Sequence, residues 1–207
     1  MSAKIKNRHE RQIPQREQKT ICQKLLIVCE GKQTEANYFD ALTKNIKSIS
    51  CYTRGKGKDP NSLVNEAIRL KANNDVDKIW VVFDKDEVPD NDFNDAIKKA
   101  EKNGIECAWS NAAFELWFLY HFENVTAQLS RKDYQKKLSD AVNKSGKYNK
   151  KSKYQYDKTD TENFSIMTSY GSQENAILWA ENQSKKFSDN NYANHNPCTK
   201  NCIQMTK

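Results

Sequence analysis

Three carboxylates in two short stretches have the residue types and the spacing of a metal-dependent acid–base site. Glu30 stands directly before Gly31 in "LLIVCEG", and Asp84 and Asp86 form a D-x-D in "VVFDKDE". Along an extended chain, Asp84 and Asp86 project to the same side, where two negative charges repel each other unless a cation lies between them. Carboxylate oxygens suit Mg²⁺ or Mn²⁺, which also accept a substrate phosphate. The D-x-D therefore predicts a divalent-metal site, and Glu30 either completes it or handles a proton.

Alternating strand and helix patterns predict the elements that hold these carboxylates. The continuous apolar runs in "KLLIVCEG" and "KIWVVFDKDE" are typical of strands buried on both faces. The helix "TEANYFDALTKNI" follows the first run, and "DPNSLVNEAIRLKANN" predicts another helix, opened by Asp59 and Pro60. Together with the weaker strand "ISCYTRGKG", the helix "DFNDAIKKAEKNG" and the strand "IECAWS", they predict an α/β fold with a mainly parallel four-stranded sheet flanked by helices.

Parallel strands gather functional groups at their carboxyl ends. Glu30, Asp84, Asp86 and the neighbouring Glu87 are therefore expected at one edge of the sheet. Lys56 and Lys58, in "GKGKD", are expected at the same edge, where they would contact phosphate. That string lacks the spacing of a nucleotide-binding P-loop.

The rest of the chain predicts helices around this core. Three helical stretches are expected, in "AFELWFLYHFENV", in "RKDYQKKLSDAVNK", and in "TENFSIMTSYGSQENAILWAENQSKKF", the last built around Ile177, Leu178 and Trp179. The chain divides into a basic arm (1–24), an α/β core (25–125), and a helical, Lys/Tyr-rich C-terminal region that packs on the core (126–207).

The charge distribution favours a polyanionic partner. The 207 residues carry a net charge of +7, and the pI is about 9.0. Lysines alternate with tyrosines in "KSGKYNKKSKYQYDK", so that lysines can neutralise phosphates while tyrosines offer faces for base stacking; a solvated, mobile connection is the alternative. The residues expected to bind nucleic acid there are Lys147, Lys150, Lys151, Lys153, Tyr148 and Tyr154.

Composition and cysteine usage indicate a cytoplasmic protein without a membrane partner. No apolar run approaches the roughly 20 residues that span a bilayer. The six cysteines fall mostly in apolar stretches, so a disulfide framework is not expected. His195, Cys198 and Cys202 offer three soft ligands, but they lack a partner pair, and an ordinary C-terminal segment is the preferred interpretation.

The combination of Glu30–Gly31 with Asp84 and Asp86 roughly 50 residues later resembles the Toprim domain of topoisomerases, primases and several nucleases. The resemblance implies a Toprim/Rossmann-like sheet, a catalytic role for Glu30 as general acid or base, and Mg²⁺ held by Asp84 and Asp86. Glu30 and Glu87 are further metal ligands on this hypothesis.

Four longer segments are similar to the RloB-like family of bacterial and archaeal proteins: "LLIVCEGKQTEANYFDAL", "IWVVFDKDE", "SNAAFELWFLYHFE" and "NPCTKN". The family resemblance implies a setting beside an ABC-like ATPase in restriction or phage-defence loci. The sequence departs from the family at Ala112, where proline is expected after Ser110 and Asn111.

Three further residues are accessory candidates. Glu35 can face the site from the first helical turn, or serve as a first-turn acid stabilised by the helix dipole. Glu115 lies in an apolar helix, where a carboxylate is either paired and buried, bound to metal, or exposed on the polar side. Lys32 follows Gly31 and is a candidate phosphate contact near a helix N-terminus.

We therefore expect a Mg²⁺- or Mn²⁺-dependent nuclease that hydrolyses phosphodiester bonds in RNA, such as tRNA, or in DNA, and acts as the effector of an antiphage or restriction-linked system. The alternative is a non-catalytic Toprim-fold subunit that docks to an ABC-like ATPase. The expected partners are nucleic acid and that ATPase, and self-association is left open.

Overall fold

The computed structural model describes residues 24–31, 33–44, 46–53, 59–148 and 151–200. Several residues of the sequence-based hypotheses lie outside this part of the chain. These are residues 1–23 of the basic arm, Lys32, Lys56, Lys58, Lys150 and Cys202.

The centre of the molecule is one five-stranded sheet with the order β2-β1-β3-β4-β5. The first four strands are parallel, as the alternation of strand and helix patterns predicts. The strands are β1 (Leu25–Cys29), β2 (Ile49–Thr53), β3 (Lys78–Asp84), β4 (Glu106–Asn111) and β5 (Cys198–Thr199).

The fifth strand was not predicted. It is two residues long and antiparallel, pairing Thr199 with Ser110 and Cys198 with Asn111. A strand this short has no alternation to detect, and its place depends on tertiary contacts such as the 3.1 Å hydrogen bond between the hydroxyls of Ser110 and Thr199. The C-terminal region therefore contributes to the sheet as well as packing on it.

Seven α-helices surround the sheet in the described part of the chain, and no helix there is long and apolar enough to cross a membrane. Asp59 caps the second helix as predicted, its side chain accepting from the backbone N–H of Asn61 at 3.0 Å. The helices are α1 (Thr34–Thr43), α2 (Pro60–Asn73), α3 (Asp90–Lys102), α4 (Glu115–Leu119), α5 (Arg131–Lys144), α6 (Asn163–Tyr170) and α7 (Gln173–Ser184).

Each face of the sheet has its own hydrophobic core. On one face α2 and α3 bury side chains such as Leu63 and Phe93. On the other face α1 and α4 to α7 form a larger core, with Tyr38 of α1 and Leu116 of α4 among its buried residues. Successive side chains of each strand point to opposite faces of the sheet, so that the central strands β1, β3 and β4 each contribute residues to both cores.

This alternation decides where β3 delivers its last residue. Trp80 and Val82 belong to the core beneath α1 and α4, whereas Val81 and Phe83 belong to the core beneath α2 and α3. Asp84, two residues after Val82, follows it to the α1 and α4 side. β3 thus places the Asp84 carboxylate near the N-terminal ends of α1 and α4.

The predicted long helix near the C-terminus is wrong, because the chain forms α6 and α7 with a break at Gly171. A Cβ at Gly171 would lie 2.6 Å from the Cβ of His121 and 2.8 Å from its carbonyl oxygen. The N–H of Ser172 donates to that same carbonyl at 2.8 Å, and Ser172 caps α7. Leu178, expected in the core, is 51% exposed, and Ala176 and Ala180 are buried instead.

We predict that Gly171→Ala destabilises the protein. The backbone of Gly171 is extended, so the effect is steric, and forcing a methyl group into this contact should lower the free energy of unfolding by about 1–3 kcal/mol. Urea denaturation measures the change. Ser169→Ala, at an exposed position of α6, is the control and should stay within about 0.5 kcal/mol. Equal stability of the two variants would contradict the packing described here.

Candidate functional site

Asp84 is a buried carboxylate at the end of the central strand, with only 9% of its surface exposed. Its Oδ2 accepts from the backbone N–H of Phe114 at 3.1 Å. Its Oδ1 is fully buried and has no hydrogen-bond partner among the described residues. A buried oxygen without a partner loses its hydration and gains nothing in return, so a cation or a proton at Oδ1 would lower the free-energy cost of burying Asp84.

Glu115 is the second buried carboxylate at this edge. It is the first residue of α4 and is 3% exposed. The hydroxyl of Tyr156 donates to its Oε1 at 3.4 Å. Glu115 is therefore buried and hydrogen-bonded, and it is not exposed on the polar side of the helix.

Glu35 approaches from the first turn of α1 and is half-buried. Its carboxylate packs against Gly31, where an added Cβ would lie 2.6 Å from Oε2. Gly31 is thus the residue whose missing side chain admits the Glu35 carboxylate.

The three carboxylates act on one another electrostatically. Burial raises the pKa of Asp84 well above its usual range, and the charges of Glu35 and Glu115 raise it further, whereas Arg131 and the Phe114 N–H oppose the shift. Burial also raises the pKa of Glu35, to which the charge of Glu115 contributes. Such shifts are typical of functional sites, because like charges are held together there.

Asp86 reaches the site from a turn. The strand ends at Asp84, and Asp86 has a φ of 33°, a left-handed conformation that aspartate tolerates better than most residues. The extended geometry that we predicted through the D-x-D is therefore wrong at Asp86. Glu87 is exposed on the same turn.

Arg131 joins the two aspartates of the D-x-D. Its Nη1 lies 3.1 Å from Oδ2 of Asp86, and its Nη2 lies 3.5 Å from Oδ2 of Asp84. Sequence reasoning missed Arg131, because its partners are more than 40 residues away and only the tertiary fold brings α5 to the strand end.

Glu30 follows β1 directly and is half-buried. Its backbone N–H donates to the carbonyl of Val82 at 3.1 Å, which places its Cα beside the last residues of β3. Glu30 therefore lies at the predicted edge, although Glu35 and Glu115 are the carboxylates that act most strongly on Asp84.

The donor types at this edge suit a hard divalent cation, and the unpartnered Oδ1 of Asp84 is an available ligand atom. Within the described ranges, no group of three or more His, Cys, Asp or Glu residues is arranged to hold a metal ion. Asp84 and Asp86 are the two residues that would hold one, and the Arg131 guanidinium contacts both.

The Lys/Tyr-rich stretch divides into a buried part and an exposed part. Tyr154 is buried, donates its hydroxyl to Oδ1 of Asn163 at 2.9 Å, and packs edge-on against Tyr148. Its ring is therefore covered by protein where base stacking was predicted. Lys147, Lys151 and Lys153 are exposed, as phosphate contacts must be.

A polar groove runs between α5 and the segment 153–158. One part of it encloses about 510 Å³, and an adjoining part of about 460 Å³ shares Gln135, Gln155 and Tyr156 with it. Tyr156 donates to Glu115, so the groove adjoins the carboxylate cluster. The lysines that line the groove are Lys132, Lys136, Lys153 and Lys158.

His195 has partners of its own. Its Nε2 lies 2.9 Å from Oδ1 of Asp189, and its ring stacks on Phe187 with the centroids 4.5 Å apart. Cys198 is buried in β5. His195 is therefore hydrogen-bonded and packed within the C-terminal region.

Comparison with protein families gives a match that covers most of the chain. The model of the family described as RloB-like protein matches residues 25–202, which include the whole sheet, the D-x-D turn and every helix described above. Comparisons with curated proteins and with solved structures found no significant match. Because the family match covers most of the chain, the protein belongs to the RloB-like protein family.

Proposed function

We propose that this RloB-like protein is a Mg²⁺- or Mn²⁺-dependent nuclease that hydrolyses phosphodiester bonds in nucleic acid. The observation that carries the proposal is the buried Asp84, whose Oδ1 has no partner among the described residues and whose neighbours are Glu35, Asp86 and Glu115. A cluster of this kind destabilises the protein unless a cation or a proton joins it, and the carboxyl edge of a parallel sheet is the usual place for chemistry.

Each carboxylate has a distinct part in the proposed reaction. Asp84 and Asp86 would hold the divalent cation, which supplies Lewis acidity toward a phosphoryl oxygen. Glu30 would accept a proton from the attacking water or pass one to the leaving oxygen. Glu35, whose pKa is raised by burial, is an additional carboxylate beside Asp84 that could take part in proton transfer.

The polar groove supports nucleic acid as the substrate. Its lysines and the exposed Lys147 and Lys151 offer cations to a phosphate backbone, and the groove adjoins the carboxylates. Since the ring of Tyr154 is covered, we infer recognition through the backbone more than through base stacking. In the setting that the family resemblance implies, the nuclease would be the effector of an antiphage or restriction-linked system beside an ABC-like ATPase.

The proposed nuclease activity predicts cleavage of nucleic acid. The purified protein should cleave at least one of tRNA, single-stranded DNA and plasmid DNA when Mn²⁺ or Mg²⁺ is present, and EDTA should abolish the activity. Asp84→Asn should lower the rate by about 100-fold or more, because it removes a metal ligand. Gel-based cleavage assays measure this.

Asp92→Asn is the matched control, because it removes the same charge from an exposed position on α3 and should leave cleavage unchanged. Cleavage that persists in EDTA, or equal cleavage by the Asp84 variant, would contradict the proposal.

The proposed role of the groove predicts an effect of its lysines on binding. The double variant Lys136→Gln/Lys153→Gln should weaken binding of a fluorescent single-stranded oligonucleotide. The plot of the logarithm of the association constant against the logarithm of the salt concentration should also become less steep by about 1.4, because each lost phosphate contact contributes about 0.7 to its slope. Fluorescence anisotropy in EDTA measures binding without cleavage.

Lys98→Gln/Lys102→Gln removes the same charge from exposed positions of α3, across the sheet from the groove, and serves as the control. A salt dependence that changes equally in both double variants would show that net charge, and not the groove, binds the nucleic acid.

One observation favours a second candidate function. Asp84 and Asp86 already have a cationic partner in Arg131. This pairing suits a non-catalytic subunit that docks to an ABC-like ATPase. A calorimetric titration that finds no Mn²⁺ binding at millimolar concentration would favour this role over the nuclease.

A further inference from the structure

Arg131 occupies the position where the D-x-D is expected to bind a metal ion. Its two terminal nitrogens contact one carboxylate oxygen each, on Asp86 and on Asp84. The side chain is 42% exposed, so it is neither locked in the core nor free in solvent. The guanidinium is the cation that holds the two aspartates together in this structure.

The position of Arg131 in its own helix is unfavourable. It is the first residue of α5, where Ser130 and Asp133 form a reciprocal capping box. The positive end of the helix dipole disfavours a basic side chain there. The attraction of the acidic edge accounts for its orientation, since Glu115, Asp84, Asp86 and Glu35 all act on the guanidinium.

The contacts of Arg131 leave the acidic edge incompletely neutralised. The contact to Asp84 is 3.5 Å long, at the outer limit of a hydrogen bond, and Oδ1 of Asp84 remains without a partner among the described residues. A guanidinium donates hydrogen bonds but cannot approach carboxylate oxygens as closely as a small divalent ion does. A divalent cation would therefore neutralise these carboxylates better than Arg131 can.

We propose that Arg131 is the resident counter-ion of Asp84 and Asp86 and that it exchanges with the divalent cation of the active enzyme. The proposal rests on the metal site of the proposed function and adds a positioning role for Arg131. In the cation-free protein the guanidinium ties the start of α5 to the D-x-D turn. Cation binding releases it beside Lys132, at the end of the polar groove, where a substrate phosphate would arrive.

Competition of this kind predicts that removal of the arginine strengthens metal binding. By isothermal titration calorimetry, Arg131→Gln should bind Mn²⁺ roughly 5- to 10-fold more tightly than the wild type, because the cation no longer displaces an ion pair. Lys98→Gln, which removes the same charge from an exposed position of α3 across the sheet, should stay within about twofold. A purely structural role for Arg131 would not tighten metal binding.

A second measurement uses the wild-type protein and does not depend on the folding of a variant. Arg131 should react faster with phenylglyoxal when Mn²⁺ is added, as followed by peptide mass spectrometry. Arg69 is the internal reference, because it pairs with Glu66 on α2, away from the acidic edge, and its modification should not change.

The outcomes separate this proposal from the one on which it rests. Tighter Mn²⁺ binding by Arg131→Gln and faster modification of Arg131 support the exchange. Wild-type binding that Asp84→Asn abolishes, with equal or weaker binding by Arg131→Gln, overturns the exchange and leaves the metal site in place. No Mn²⁺ binding by either the wild type or the Arg131 variant overturns both proposals.

Discussion

The burial of the Asp84 carboxylate at the end of the central strand is the constraint on which the site depends. One oxygen is held by the Phe114 N–H and approached by Arg131, and the other has no partner among the described residues. Around it, Gly31 leaves space for Glu35, and Tyr156 donates to Glu115. A chain selected for stability alone would avoid three carboxylates in this space, and their placement therefore supports the proposed cation site.

The site belongs to the whole fold and not to the α/β core alone. The sheet supplies Asp84, whereas Arg131 and Tyr156 come from the C-terminal region, which also adds β5 to the sheet. The division at residue 125 that we predicted therefore separates chain segments that share one site. In the proposed nuclease, the C-terminal helices would line the path of the substrate, while the strands would hold the reacting groups.

Local patterns were enough to predict the parallel sheet, its carboxyl edge, and the presence there of Glu30, Asp84 and Asp86, because buried strands and glycine-ended turns leave clear signals. The features that were missed depend on distant contacts. Arg131 meets the aspartates across more than 40 residues, β5 has only two residues, and Gly171 ends a helix because His121 packs against it. The ring of Tyr154 was predicted to stack on a base, but it is buried, because the alternation of Lys and Tyr does not reveal which rings the core covers.

The central claim is that the buried Asp84 carboxylate destabilises the native state when it is ionised and no divalent cation is bound. The stability of Asp84→Asn in a chelator at neutral pH tests this claim most directly. Because the pKa of Asp84 is held well above its usual range, the ionised carboxylate destabilises the native state above its unfolded pKa. Urea denaturation should therefore give a free energy of unfolding about 1–2 kcal/mol higher for the variant than for the wild type. A variant that is less stable than the wild type, while Asp95→Asn at an exposed position of α3 is unchanged, would show that the carboxylate is a structural partner and would contradict the claim.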